Sequence, residues 1–529
     1  MVQAEVMDPA QVFLNEVMSR NQSMDALMAR GDSAIQQFYS GAVVFVSGGS
    51  GFLGKQLIEK LLRATKISKV FVLLRPKKGK SVGERLNEIL QEPVFDKIRE
   101  QQKHFADRIV AVVGDLAELK LGLSDEDWNT VADQVNIIFH MAATTRMDTP
   151  LRATIMVNTR GTREALMLGK ACKNLKSYIH VSTAFSHACA NRVDSEILED
   201  FYPSPVEPET MIKLAESVEE SRLDAMTPGL IKNWPNSYPF SKAVAEEMVR
   251  SMSNDLPICI VRPAIVMHSI REPQPGWIDV SNMYGASGLA LGIGMGVLHI
   301  TPTDNECCAD FIPVDYVNNA TIAAGWETAK RRAAGEMDLK IYAMNTSPRN
   351  SIKLGNMLSI LRNDTIPKYP SPMIVAYSLL LKTSNPIVLW ILSWLLHLLP
   401  AYIIDGVCLL IGKQRRFVKP YSKSYKLMAT LSYFLCYNFD FDDKNTEVLY
   451  GSLSEVDREI FNFDVNKINW REYMVLWALA LRKYILKDGL NRTEYAKKKL
   501  LFLRIVTYTA FLLYFYLLFK VLSLLFCLF

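Results

Sequence analysis

The chain is 529 residues long, 49% hydrophobic and 22% charged, with a net charge of +5 from 60 basic and 55 acidic residues. With a mean hydropathy of +0.07, this composition excludes a disordered, fibrous or disulfide-built protein, and so small and mixed a charge gives no basis for nucleic-acid binding. At about three times the roughly 150 residues of a typical domain, the length predicts two packed domains and an extension. The eight cysteines show no CxxC pair and no histidine spacing that would hold a metal, so they read as reduced thiols and no metal is expected.

Residues 1–37 form a polar lead. Glu5, Asp8, Glu16, Asp25 and Asp32 leave no apolar stretch of the kind a secretory signal needs, which places the amino-terminal bulk in the cytosol. Ala42 to Val46 is then a continuous apolar run of strand length, followed by a glycine-rich turn and by Lys55 to Leu62 at helical spacing. Further strand-length runs follow at Val70–Leu74, Ile109–Val113, Val135–Phe139, Tyr178–Val181 and Ile258–Val261, separated by helix-length segments such as Val82–Leu90. Short runs apolar on both faces imply a parallel sheet buried between two helix layers, an α/β doubly wound fold of Rossmann type spanning about 38–335.

From about Glu336 to 490 helical patterns dominate, which predicts a second, helical domain. Within it Pro386–Ile411 is strongly apolar but holds His397, Pro400 and Asp405, so a buried or membrane-resting helix pair is expected rather than a clean span. After Lys497, Lys498 and Lys499 comes an apolar tail, 500–529. Ile505–Phe519 supplies 15 residues before Lys520, and a span needs about 20. A membrane-inserted tail with Lys520 snorkelling is expected; an interfacial or hairpin helix and a soluble core helix are the alternatives. The lysine triplet predicts a cytosolic amino-terminal side.

The strongest local signal is Ser47 to Gly54, in which Gly48, Gly51 and Gly54 are spaced GxxGxxG between a strand and a helix. Glycine serves there for a tight turn, close backbone approach to a pyrophosphate and helix–strand packing. At the next strand end an NAD site offers a carboxylate to the ribose. Here Arg75, Lys77 and Lys78 arrive instead, a cationic cluster suited to the 2′-phosphate of NADP(H); the alternative is a solvated basic loop. Asp115, closing the third strand, can accept from an adenine amino group. His140 to Ala143 end the fourth strand with residues small enough for a cofactor to lie across it.

Tyr238 and Lys242 are one helical turn apart in a YxxxK spacing that opens a helix. A nearby ammonium is expected to lower the phenol's pKa and ease proton transfer to a carbonyl oxygen. Thr183, at the end of a strand, is the predicted substrate hydrogen-bonding group, with Ser182 the neighbouring alternative. Glycine turn, hydroxyl and Tyr-Lys pair, in that order, resemble the extended short-chain dehydrogenase/reductase group.

The flanks narrow the resemblance. SGGSGFLGKQLIEKLLR, LLRPKKGKSVGERL, FHMAATTRMDTPL, VNTRGTREAL, HVSTAFSH, NSYPFSKAVAEEMV, IVRPAIV and EPQPGWID are similar to the alcohol-forming fatty acyl-CoA reductases, especially insect-type members, over about Phe38 to Lys487. The resemblance implies that Gly48, Gly51, Phe52, Leu53 and Gly54 hold the NADPH pyrophosphate and Arg75 its 2′-phosphate, with Asp115 and Leu116 bordering adenine. It implies a Thr183, Tyr238, Lys242 catalytic set, with Lys242 also touching the nicotinamide ribose. Asn158 would support that lysine through a relay, and Arg262 and Pro263 would flank the nicotinamide. Ser47, Pro239 and Ser241 depart from the usual motif without removing a group of the triad.

The activity implied is reduction of a long-chain fatty acyl-CoA to a primary alcohol through an aldehyde, by two hydride transfers from NADPH. The partners implied are the acyl-CoA and a lipid bilayer. The tail favours the endoplasmic reticulum membrane, with the catalytic domain cytosolic and the peroxisomal membrane as the alternative; oligomeric state stays open. Trp277, Met283, Gly285 and Gly288–Gly296 line an acyl channel or form an ordinary loop, and Lys413, Arg415 and Arg416 meet CoA phosphates or anionic lipid equally well. The competing readings are a membrane-bound dehydrogenase of a sterol, sugar nucleotide or other lipid carbonyl, and an inactive membrane scaffold.

Overall fold

The computed structural model describes residues 7–527 apart from residue 78; Lys78, Leu528 and Phe529 of the expectations above lie outside it. Its centre is a seven-stranded, wholly parallel sheet: β1 (Val43–Ser47), β2 (Lys69–Leu74), β3 (Ile109–Val113), β4 (Ile137–His140), β5 (Ser177–Val181), β6 (Ile258–Pro263) and β7 (Lys340–Met344). The spatial order is β3-β2-β1-β4-β5-β6-β7. The order reverses where β1 separates β2 from β4, and the crevice above that point is where doubly wound sheets bind nucleotides.

Strand side chains alternate between two cores. Val44 and Val46 join Leu57, Ile58 and Leu61 of helix α1 (Phe52–Ala64) on one face, while Phe45 on the other joins Phe240 and Val244 of helix α2 (Ser237–Met252). Helix α3 (Val314–Ala333) packs beside α1. β7 lies past residue 335, so the sheet continues beyond the boundary expected from the change in sequence texture.

The carboxyl-terminal region is stitched to the sheet domain by two parallel strand pairs, Leu381–Thr383 on Ile300–Pro302 and Asp440–Phe441 on Glu196–Ile197. The polar lead forms helices at Pro9–Ser19, Gln22–Arg30 and Ala34–Tyr39. Its Ala10, Leu14 and Val17 pack against Val475, Leu476, Leu479 and Leu490. The apolar segment forms one 25-residue helix, Pro386–Leu410, in place of the expected pair. Pro400 has no amide hydrogen for the preceding turn, and the helix absorbs it in a widened π turn at Trp394–Leu398. The tail continues helix α4 (Thr493–Cys527).

A buried ionic cluster ties α1 to both regions. Lys60 Nζ donates to both carboxylate oxygens of Glu272 at 2.7 and 2.6 Å and to the Ile460 carbonyl at 2.6 Å, while Arg63 donates to Glu272 and Glu59, each at 2.6 Å. Burial raises the Glu272 carboxyl, but Lys60 and Arg63 outweigh it and hold it at about 2. Its stabilising contribution is therefore complete above the ordinary carboxylate range and lost only as pH falls toward that value. Glu272→Gln leaves two buried cations short of a partner and should cost about 3–5 kcal/mol, read as a lower thermal unfolding midpoint at neutral pH.

Candidate active site

The glycine turn follows β1 directly. Gly48 has φ +82°, and a Cβ there would lie 2.7 Å from the Ala142 amide nitrogen at the end of β4. A Cβ on Gly54 would sit inside the van der Waals envelope of the Gly48 carbonyl and 2.7 Å from Gly49 Cα. The Gly51 amide donates to the Gly48 carbonyl at 2.9 Å. As the cap of α1 Gly51 supplies no side-chain bond, so the first-turn amides face the crevice with no side-chain acceptor. Backbone that cannot bear side chains, at a helix start over a sheet crossover, fits a dinucleotide pyrophosphate. Phe52 packs on Trp277 at 5.1 Å between ring centroids, and the Leu53 carbonyl accepts from Asn318 at 2.9 Å, which seats α1. The Ser47 hydroxyl bonds His140 Nδ1 at 2.8 Å, tying β1 to β4.

Arg75, just past β2, is exposed and stands 3.7 Å from the Asp115 carboxylate beyond β3. Asp115 also accepts from the Ala117 amide at 3.0 Å, and Leu116 is buried against Gly161. Arg85 donates to the Arg75 carbonyl, adding a cation that the strand-end pattern did not reveal. Its signal was the Ser81–Glu84 capping box, which turns the start of the next helix toward β2.

Thr183, Tyr238 and Lys242 come together at the ends of β5 and β6. Asn236 caps α2 by accepting from the Tyr238 amide at 3.0 Å. Tyr238 keeps some solvent access, yet burial pushes its phenol up to about 12, and only a hydrogen bond with Thr183 pulls the other way. The expected lowering is thus not found: Lys242 Nζ donates to the Val181 carbonyl at 2.8 Å. Burial lowers Lys242 itself to about 8, with Glu246 opposing. The Thr183 hydroxyl donates to the Pro263 carbonyl at 3.3 Å and accepts from the Phe185 amide at 3.3 Å.

Asn158 is buried, but its relay ends on Ser241 rather than Lys242. Asn158 Nδ2 donates to Ser241 Oγ at 3.0 Å, Ser241 Oγ donates to the Tyr238 carbonyl at 2.8 Å, and Asn158 Oδ1 accepts from the Thr144 amide at 2.8 Å. It ties the first turn of α2 to the loop after β4. Arg262 is also placed differently from the expectation. Its guanidinium is buried and committed to Glu246 at 3.0 and 2.7 Å and to the carbonyls of Leu198 and Asp200, each at 2.9 Å, which leaves Pro263 as the residue of that pair beside Thr183.

Glu246, unread in the sequence, is the anchor beneath the site. It accepts from Ser182 at 2.5 Å, Ser186 at 3.0 Å and His187 at 3.1 Å as well as Arg262. Burial raises its carboxyl, but Arg262 and His187 reverse that and hold it well below the usual range. Ser182 is therefore spent, and Thr183 is the hydroxyl that reaches the phenol. The signal available was an acid one turn beyond Lys242 on the same helix face. His140 and His180 stack at 5.4 Å on this side of the sheet, and burial together with Lys242 keeps both imidazoles neutral.

An apolar cavity with about 970 Å³ of empty space, part of it open to solvent, lies between the sheet domain and the carboxyl-terminal helices. Leu289, Ile293, Phe311, Met357, Trp477 and Leu481 line it. The glycine-rich stretch contributes through Leu289–Met295, whereas Trp277 packs on Phe52 and Met283 against the main core. Lys413, Arg415 and Arg416 are exposed on the turn after the helix Pro386–Leu410.

The strand order, the glycine turn at its reversal and the Thr-Tyr-Lys set define an extended short-chain dehydrogenase/reductase, an NAD(P)H-dependent oxidoreductase. Two family models, both described as male sterility protein, match residues 46–321 and 396–488; the first is the NAD-binding part. The chain is 36% identical over 488 residues to fatty acyl-CoA reductase wat of Drosophila melanogaster, covering 90% of each chain. It is 35% identical over 477 residues to human fatty acyl-CoA reductase 2, covering 90% of this chain and 91% of that one. The chain belongs to the fatty acyl-CoA reductase family. Among solved structures, the terminal R domain from the myxalamid pathway superposes with a TM-score of 0.56 at 19% identity, over 89% of this chain and 100% of that chain. The reductase domain of a nonribosomal peptide synthetase from Mycobacterium tuberculosis gives 0.53 at 16%, over 91% and 99%. Both are likenesses of fold.

Because a methyl group at position 54 collides with the Gly48 carbonyl, Gly54→Ala should weaken nucleotide binding by about tenfold or more, the effect of ~1.4 kcal/mol of distortion. Titration of NADPH fluorescence against the purified variant measures it.

Proposed function

We propose that the protein reduces long-chain fatty acyl-CoA to the primary alcohol, with NADPH as reductant and an aldehyde as intermediate. The observation that carries the reading is the meeting of Thr183, Tyr238 and Lys242 at the carboxyl ends of the parallel sheet whose β1 leads into the glycine turn. When bound, a reduced nicotinamide supplies hydride to the carbonyl carbon. Tyr238, with its phenol at about 12, holds its proton through the neutral range and delivers it to the substrate oxygen. The Thr183 hydroxyl gives that oxygen a second hydrogen bond as negative charge develops. Lys242 is cationic below about 8, and in this reading its ammonium, held on the Val181 carbonyl, is the donor to the nicotinamide ribose. Collapse of the hemithioacetal returns its hydroxyl proton to the Tyr238 phenolate and expels CoA as a thiolate that takes its proton from solvent. With a second reduced nicotinamide bound for the aldehyde, Tyr238 again protonates the oxygen to complete the alcohol.

Arg75 and the neighbouring Arg85 favour a 2′-phosphate over a bare ribose, which supports NADPH over NADH. The apolar cavity supports a long acyl chain as occupant, since each buried methylene contributes about 0.8 kcal/mol. The two apolar helices support membrane association, and the lysines at 497–499 support a cytosolic catalytic domain, on the endoplasmic reticulum in this reading.

The test is incubation of the purified protein with NADPH and stearoyl-CoA, scoring alcohol, aldehyde and free CoA. Two NADPH should be consumed per alcohol, and a sterol ketone should give no turnover. Tyr238→Phe should lower the rate by about 10²–10⁴-fold with NADPH binding retained; turnover at the wild-type rate removes Tyr238 from its role. Lys242 loses its proton as pH rises, so kcat/KM should fall above about pH 8, measured as a pH–rate profile with stearoyl-CoA. Ala290 lines the cavity, and Ala290→Phe should depress turnover of stearoyl-CoA more than that of decanoyl-CoA.

A further inference from the structure

The tail helix α4 does not leave the protein at its lysine triplet. Leu500 is buried, Leu503 half-buried, and Thr507, Phe511 and Tyr514 continue the same inward stripe at helical spacing. Thr507 Oγ1 accepts from the Tyr377 amide at 3.1 Å, Phe511 stacks edge-on against His299 at 5.0 Å, and the Tyr514 hydroxyl donates to the Leu395 carbonyl at 3.0 Å. Tyr514 is about 22 Å beyond Lys499 at 1.5 Å per residue, against a hydrocarbon layer of about 30 Å. A tail so pinned carries the helix Pro386–Leu410 with it to whatever depth it enters.

That second helix is built for such a place. Leu389, Ser393, His397, Ala401 and Asp405 form an inward stripe, and its two titratable members are answered inside: His397 Nε2 accepts from the His299 amide at 3.0 Å, and Asp405 accepts from the amides of Arg416, Phe417 and Val418. The opposite face is apolar and exposed, with Ile387 at 67%, Trp390 at 50%, Ile403 at 52% and Leu410 at 88%. The chain then turns into Lys413, Arg415, Arg416, Lys419, Lys423 and Lys426, all exposed, with no Asp or Glu anywhere in 406–439. None of the six forms a salt bridge among the described residues.

We propose that the outer face of the helix Pro386–Leu410 is buried in the lipid leaflet that α4 enters, with the cations of 413–426 seated on anionic phospholipid headgroups. Hydrophobic face, interfacial tryptophans and adjoining basic strip are the features of a helix lying in a membrane interface, and continuity with α4 through Tyr514 and Leu395 fixes which leaflet. The inference rests on the reading of α4 as membrane-inserted and is independent of the catalytic one.

The experiment uses the full chain reconstituted into phosphatidylcholine vesicles brominated in the acyl chains, with and without phosphatidylserine. Flotation first reports whether α4 holds the protein on the vesicles. On floated protein, bromine should quench tryptophan emission, and W390F/W394F should lose most of that quenching while circular dichroism and NADPH binding stay unchanged. Phosphatidylserine should deepen the quenching of the wild type, and K413Q/R415Q/R416Q/K419Q should abolish that increment while still floating. Quenching that is equal in the wild type and W390F/W394F overturns the proposal, as does a face shielded by self-association, seen as quenching that appears only on dilution. Failure to float overturns the tail reading instead.

Discussion

A carboxylate stripped of water must be answered by donors, and Glu246 is answered from four sides. Ser182 and Ser186 come from the loop after β5, His187 from the turn beyond it and Arg262 from β6, while the acid itself rides on α2. Because the same helix carries Tyr238 and Lys242, this one charge fixes α2 against the ends of β5 and β6. The Arg262 guanidinium extends the constraint to the loop at Leu198 and Asp200. Leaving either partner alone would strand a buried ion.

The sheet was legible because six of its strands are short runs apolar on both faces, a pattern with few other uses. β7 escaped: its five residues, Lys340 to Met344, sit among polar neighbours and read as a connection within helical territory. In the site, spacing singles out the glycine turn and the Tyr238–Lys242 pair as candidates, since each depends on positions near one another in the chain. What spacing could not give was the partner of each group. Lys242 facing the Val181 carbonyl, Arg262 paired to Glu246 and Asn158 ending on Ser241 are contacts across 61, 16 and 83 residues. The sign of the tyrosine shift followed from the same blindness, because the ammonium was read as near and the surrounding protein was not read at all.

The carboxyl-terminal region is not an appendage to a finished enzyme. Its strands extend two small sheets begun by the sheet domain, and its Met357, Trp477 and Leu481 form part of the cavity opposite Leu289 and Phe311. The Thr-Tyr-Lys cluster and part of the cavity wall thus come from two stretches of sequence that the fold makes inseparable.

The tail helix owes its first turn to the opposite end of the chain. Asp8 accepts from the Thr493 amide at 2.8 Å and from its hydroxyl at 2.6 Å, a contact between residues 485 apart. A bond of such separation closes late, since nearly the whole polypeptide must be made before it can form. Until then an apolar helix lacks the acceptor for its first amide, and the docking of a helix made first completes the seat of the one made last.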